Sequence, residues 1–198
     1  DGDVELSNLQ RQTLFTQRDI GHSKAVAARG WLANFDNRII VTIRDDRVTA
    51  ENAAALVSGA DLVVDGTDNF ATRLAISDAC VIAGVPLLSA AVGRFQGQIA
   101  AFAGHLPDQP CYRCYVGDAF DAEDCDTCAE DGMLGAMAGW AGTFAALQAV
   151  RLLLSGKAAF GDPQYGKLHL LDGGKPAMRT LNLVKDPACR GCGTSPAE

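Results

Sequence analysis

Apolar and polar positions alternate along this chain in two rhythms, and most of its elements can be read from them. From Ser23 onward, Ala25, Ala28, Leu32 and Phe35 recur at three- and four-residue steps, the mark of an amphipathic helix. Arg38 to Ile43 is rich in β-branched residues and predicts a strand. Thr49 then caps a short helix through about Val57. The run Leu62-Val63-Val64 ends in Asp65-Gly66-Thr67-Asp68-Asn69, as a buried strand does when it stops at the edge of a sheet. A helix over Ala71 to Ile82 follows, ended by Gly84 and Pro86, with Cys80 on its apolar face. Val85 to Val92 and Gln98 to Ala103 predict two further strands, with Gly93 to Gly97 turning between them. The alternation of strand and helix from residue 24 to 103 predicts an α/β domain with a mostly parallel sheet and helices on both faces. Lys167 to Leu171 and Met178 to Val184, joined around Asp172-Gly173-Gly174, add an antiparallel hairpin near the C-terminal end.

Met133 to Val150 runs for 18 residues without a charge, which meets the length rule for a membrane span. It is rich in Gly and Ala, weak in Leu and Ile, and carries Gln148. The prediction is therefore a tightly packed interior or interface helix, with Gly135, Gly139 and Gly142 permitting close backbone approach.

Composition narrows the function classes. At 198 residues and 48% hydrophobic, the chain can bury a full core as a single domain. Seventeen basic residues are scattered among 24 acidic ones, for a net charge of −7, which speaks against nucleic acid or an anionic membrane as partner. Seven cysteines fall as Cys111-x-x-Cys114, Cys125-x-x-Cys128 and Cys189-x-x-Cys192, with Cys80 alone. In a cytosolic α/β protein such pairs point to metal or thiol chemistry rather than disulfides.

Two of the pairs, Cys111/Cys114 and Cys189/Cys192, each follow a proline-bearing turn and read as knuckles of one tetrahedral four-thiolate zinc site. With no open ligand position, that site would hold the fold and take no part in chemistry. A redox dithiol is the competing reading. Cys125 and Cys128 lie in the acidic stretch Asp118 to Asp131, predicted as a mobile loop, where the acidic neighbours would raise thiol pKa values.

The strand end at Asp68-Asn69 is the candidate ligand site, because open α/β sheets bind ligands beyond the carboxyl ends of their strands. A carboxylate there can hold a magnesium ion that bridges nucleotide phosphates. The competing reading is a plain helix cap. Lys24, in the first turn of its helix, is unfavourable to the helix dipole and so invites a phosphate; a solvated surface lysine is the alternative.

Taken together, Ser7-Asn8-Leu9-Gln10-Arg11-Gln12, Gly21-x-x-Lys24, Thr67-Asp68-Asn69-x-x-x-Arg73, the two knuckles and Cys128-x-x-x-Gly132 resemble the ThiF/MoeB/HesA family, bacterial relatives of ubiquitin-activating enzymes. The resemblance runs in order from about Asp3 to Gly193. It implies a Rossmann-like fold and a dimeric enzyme that binds Mg-ATP. Such an enzyme adenylates the C-terminal Gly-Gly carboxylate of a ubiquitin-like sulfur carrier, of the thiamine or molybdopterin type, and releases pyrophosphate.

Carried over by position, Arg11 and Lys24 would neutralise the ATP phosphates. Ser7, Asn8 and Gln12 would hydrogen-bond around the same group. Asp68 would hold magnesium beside Asn69, and Arg73 would support the site one turn into its helix. Asp1 or Asp3 would grip the ribose, Asp3 being the candidate carried forward. Cys128 occupies the position that some members use for a thioester or persulfide link. The family's first strand and glycine-rich nucleotide cradle would lie upstream of Asp1, so we expect this chain to be a fragment. Sulfur would come from a separate sulfurtransferase. Two rivals remain open at this stage: a zinc-held binding module for a β-grasp partner without catalysis, and an NAD-dependent dehydrogenase.

Overall fold

A computed structural model describes residues 2–117, 132–156 and 161–193. The chain forms two compact units, Asp1–Arg47 and Val48–Glu198.

The first unit is built from turns and one helix. A 3₁₀ turn, Leu6–Asn8, leads through bends to a second, Gln17–Asp19. Helix α1, Lys24–Phe35, starts where the Ser23 hydroxyl accepts from the Val26 N–H. Val4 is fully buried and pairs with Ile20, while Asp3 pairs with Ser23. The expected strand at Arg38 to Ile43 does not form: the segment has no ladder partner among the described residues, and Ile40 is exposed. β-branched residues favour a strand only when a neighbouring strand is there to pair with and pack against.

The second unit is a mixed α/β layer structure. Helix α2, Ala53–Val57, begins after Asn52, and Thr49 belongs to the preceding turn, in which Asn52 accepts from the Thr49 N–H. Strand β1, Val63–Asp65, leads into α3, Phe70–Ala83, which ends in a left-handed Gly84 whose N–H returns to Cys80 and Val81. β2, Leu87–Val92, and β3, Gln96–Phe102, are followed by the short α4, Tyr112–Val116, and the long α5, Gly135–Leu153. β4, Lys167–Asp172, and β5, Ala177–Asn182, close the sheet.

The sheet order is β1-β2-β3-β4-β5, and only β1 and β2 run parallel. This corrects the expectation of a mostly parallel sheet. Three residues separate β2 from β3, far fewer than the dozen or so that a parallel crossover needs, so the two strands close as a hairpin. The predicted C-terminal hairpin is present. At its turn, Gly173 sits so close to the Met137 sulfur and the Phe95 carbonyl that any Cβ would collide.

Helices do cover both faces of this sheet. On one, Leu87, Ala100, Phe102 and Leu168 pack with α2, α3 and Tyr112 of α4; on the other, Leu88, Ile99 and Leu171 pack with Met137, Ala141, Ala145 and Leu152 of α5. Burying each large side chain stabilises by about 1.5–3 kcal/mol, which fixes which face of each strand turns inward. The glycine-rich helix is thus interior on one side only: nothing lies within 4 Å of where a Cβ would stand on Gly139 or Gly142. Among the described residues no helix is long and apolar enough to cross a membrane.

His169 on β4 is buried between Phe144, edge-on at 4.9 Å, and the Thr180 hydroxyl at 3.0 Å. Burial, reinforced by Arg151 and Lys167, lowers its pKa below 6.5. A histidine kept neutral in the fold stabilises it above the unfolded pKa, and that contribution is lost as pH falls through the lower folded value. Melting temperature should therefore drop between pH 7.5 and 5.5, and His169→Gln should show a smaller drop when followed by circular dichroism.

Candidate functional site

In the first unit, the residues singled out from sequence form two groups. Asn8 is buried; its amide oxygen accepts from the Glu5 N–H at 3.0 Å and its amide nitrogen donates to the Ser7 hydroxyl at 3.5 Å. Ser7 in turn donates to Glu5, and Arg11 reaches back to the Ser7 carbonyl at 3.0 Å. Asn8 therefore shapes a turn that holds Ser7, Arg11 and Gln12 within one short stretch. The Gln12 amide oxygen is buried without a partner among the described residues, an acceptor waiting for a donor. Since amide O and N are interchangeable by a flip, the same side chain can also donate to an anion. The second group is Asp3 and Lys24: Asp3 pairs with Ser23, and the Lys24 N–H donates to the Gly2 carbonyl at 3.0 Å.

In the second unit, the carboxyl end of β1 divides the two roles that sequence left open. Asn69 caps α3, its amide oxygen accepting from the Thr72 N–H at 2.9 Å. Asp68 is exposed, and its carboxylate has no partner among the described residues. The cap is Asn69, and Asp68 is left free to hold a cation.

Arg73 does more than the sequence suggests. It is buried, and its guanidinium donates to the Ser89 hydroxyl at 2.9 Å, the Ala90 carbonyl at 3.0 Å and the Thr67 carbonyl. Asp65, fully buried beside it, accepts from both the N–H and hydroxyl of Thr67 at 2.8 and 2.7 Å, and its other oxygen lies 3.6 Å from Arg73. An unpaired buried carboxylate would be costly, so the ion pair and the Thr67 bonds stand together. The result is a clamp that fixes Gly66-Thr67-Asp68 between β1 and β2. Asp65 and Ser89 were not picked out from sequence. The signal was an acidic residue ending an apolar run, with an arginine eight positions on.

A shallow, solvent-open hollow adjoins the clamp, lined by Arg73, Ser89, Gln98, Tyr112 and Tyr115 among others. Tyr115 closes one side by donating to Gln98 at 2.5 Å.

The four knuckle cysteines do come together. Their sulfurs lie within 4.8 Å of one another, with Cys111–Cys189 at 3.6 Å, Cys114–Cys192 at 3.5 Å and Cys111–Cys114 at 3.9 Å. Tetrahedral bonds of about 2.3 Å require sulfurs about 3.8 Å apart, so the set fits a metal of zinc's size. Burial pushes the Cys111 thiol up and raises Cys192 to about 11. Burial pushes Cys114 up too, but hydrogen bonds from the Asp186 and Cys111 backbone and from the Cys192 and Cys189 thiols together outweigh it and hold that thiol below its ordinary value. Gly104 lies against the Cys111 side chain, where a Cβ would be 2.6 Å away. Cys80, buried in the core, is raised to about 12 and is inert. Cys125, Cys128 and the expected loop around them lie outside the described residues.

Comparison with known proteins fits this arrangement. A sulfur carrier protein adenylyltransferase of Thermus thermophilus is 36% identical over 200 residues, covering 98% of this chain and 72% of that protein. Molybdopterin-synthase adenylyltransferase of Escherichia coli is 36% identical over 190 residues, covering 96% and 74%. An adenylyltransferase and sulfurtransferase MOCS3 of Anopheles gambiae is 35% identical, and this chain spans 43% of its length. Among solved structures, Escherichia coli MccB superposes with a TM-score of 0.80 at 19% identity, over 98% of this chain and 58% of that one, a likeness of fold. The ThiF family profile matches residues 1–191, and the chain belongs to the ThiF family.

Proposed function

We propose that this chain adenylates the C-terminal Gly-Gly carboxylate of a ubiquitin-like sulfur carrier protein, of the thiamine or molybdopterin type, using ATP and releasing pyrophosphate. The observation that carries the reading is Asp68: a solvent-facing carboxylate at a strand end, without a partner among the described residues, on a loop that buried groups hold. The names of its relatives supply the substrate class.

Joining a carboxylate to a triphosphate brings two anions together, so positive charge must offset the repulsion. Asp68 would hold a magnesium ion, whose charge would offset that of the phosphates and of the leaving group. Arg11 and Lys24 are the side chains assigned to the phosphates, Ser7, Asn8 and Gln12 to hydrogen bonds around them, and Asp3 to the ribose. One carrier carboxylate oxygen attacks the α-phosphorus, the bond from that phosphorus to the bridging oxygen breaks, and its electron pair departs with pyrophosphate. The product is an acyl-adenylate. Positioning does most of the work in such in-line transfers, which is where the Arg73 clamp and Asn69 cap contribute.

The four thiols are assigned a structural zinc, since a closed four-sulfur set offers no place for substrate. The exposed face of α5, with Ala146, Leu147, Val150 and Leu153 beside open glycines, suits a second copy of this chain, giving a homodimer. Cys128 is assigned the covalent link to the carrier, with sulfur delivered by a separate sulfurtransferase.

The test is carrier-dependent exchange of radiolabelled pyrophosphate into ATP by the full-length protein. Exchange that appears only with a carrier ending in Gly-Gly supports the reading; none with either carrier type removes it.

A further inference from the structure

The two cysteine knuckles are held in place by different means. In the first, Arg113 donates from Nε to Oδ1 and from Nη2 to Oδ2 of Asp78 on α3, both at 2.9 Å. The Tyr112 N–H donates to the buried Ser77 hydroxyl of the same helix at 3.3 Å. None of these bonds runs through a sulfur, so Cys111 and Cys114 are seated on α3 by their neighbours.

The second knuckle, Cys189 to Cys192, is made of turns and hangs from the segment that follows β5. That segment is tied down at Lys185. The half-buried Lys185 ammonium donates to the Gly104 carbonyl at 3.0 Å and to the Leu106 carbonyl at 2.9 Å. Among the described residues it forms no ion pair. Its two carbonyls belong to a loop pinched just before Cys111, where the Ala103 N–H donates to the Pro110 carbonyl at 3.2 Å. Gly104 is also where the knuckles meet: a Cβ there would stand 2.6 Å from the Cys111 Cβ and 3.1 Å from the Cys192 Cβ. One residue past Lys185, the Asp186 N–H donates to the Cys114 sulfur at 3.4 Å, and the Asp186 carbonyl accepts from the Cys189 N–H at 3.1 Å. A single cation on two carbonyls thus sets the second pair of sulfurs over the first.

We propose that Lys185 is a positioning residue for the four-thiol site: its ammonium docks the C-terminal knuckle on the Gly104 turn, so that all four sulfurs are presented together to a zinc-sized ion. Two thiols on a loose segment would have to be ordered as the ion binds, and that cost is subtracted from affinity. A pair already docked beside the first acts at a high local concentration. The inference rests on the thiols taking a metal and is independent of adenylation.

Lys185→Met keeps the aliphatic stem and removes the donors. With zinc ion shared between the full-length protein and a chromogenic chelator, the affinity of Lys185→Met should be about thirtyfold weaker than the parent's, with the same ion count per chain at saturation. Lys185→Arg restores donors and should recover most of the loss. Lys167→Met, which gives up a bond to Asn182 on the neighbouring hairpin, should keep the parent affinity. In the ion-free protein, hydrogen–deuterium exchange of the peptide spanning Asp186 to Gly193 should be about fivefold faster in Lys185→Met.

Equal zinc affinity in Lys185→Met and a zinc-binding parent overturns the proposal alone. So does an equal loss in Lys167→Met, which would mark a general weakening of the hairpin. A parent that takes up no zinc overturns the metal assignment and the proposal together.

Discussion

Asp68→Ala is expected to abolish carrier-dependent pyrophosphate exchange, by about a thousandfold or more, while leaving fold and bound metal intact. The carboxylate is exposed and has no partner among the described residues, so truncation costs the fold no hydrogen bond. The cap of α3 is untouched, because Asn69 supplies it. On the proposed function, what would be lost is the ligand for the ion that offsets phosphate charge, a contribution of about 4 kcal/mol, or three powers of ten in rate. Exchange kinetics, elemental analysis of metal and a melting curve on the same preparation decide it. Unimpaired exchange would remove Asp68 from the magnesium site; a lowered melting temperature would mean the residue is structural.

Cys189→Ser should have the opposite profile, striking stability first. It leaves three thiols and sets free the segment that carries Asp186 to Gly193. Losing one ligand of a structural site costs on the order of 3 kcal/mol, and for a chain of this size each kcal/mol moves the melting temperature by about 2–4 °C. A fall of about 6–12 °C and loss of the bound ion are expected by calorimetry and elemental analysis. Acidification should act the same way on the parent. With Cys111 and Cys192 pushed upward by burial, the ion must displace protons to bind, so lowering pH favours its release. An equal melting temperature for Cys189→Ser and the parent would mean that the four thiols hold nothing.

The elements that sequence revealed are those whose signals are local. The helix from Ser23, the helix ended by Gly84, the charge-free helix and the hairpin at Gly173-Gly174 each carry their own periodicity and stop residues, and each stands where expected. Strand direction was misjudged because alternating strands and helices were weighed above the three-residue link at Gly93 to Phe95, which allows one geometry alone. Arg38 to Ile43 has strand composition, but a ladder is a property of two segments, and composition describes one.

The candidate site divides in the same way. Asp68, Asn69 and the four knuckle cysteines stand out by residue type and spacing. Asp65 and Ser89 do not, since their importance comes from whom they meet: a carboxylate buried under an arginine eight positions later, and a serine hydroxyl on the next strand that accepts from the same arginine. Such meetings are set by the packed sheet and leave no periodic trace.

The sheet's connectivity also dictates an order of assembly. β2 and β3 are joined by three residues, whereas β3 and β4 are separated by 64. Loop closure costs about 0.6 kcal/mol for each doubling of length, so joining the second pair is about 2.5 kcal/mol harder. The two hairpins should form early and independently, and the sulfurs of the two knuckles meet only once the hairpins have docked. An ion captured at that late step would have little influence on how fast the chain reaches its native state. It would act as a latch, lengthening the life of the folded protein by slowing escape from it.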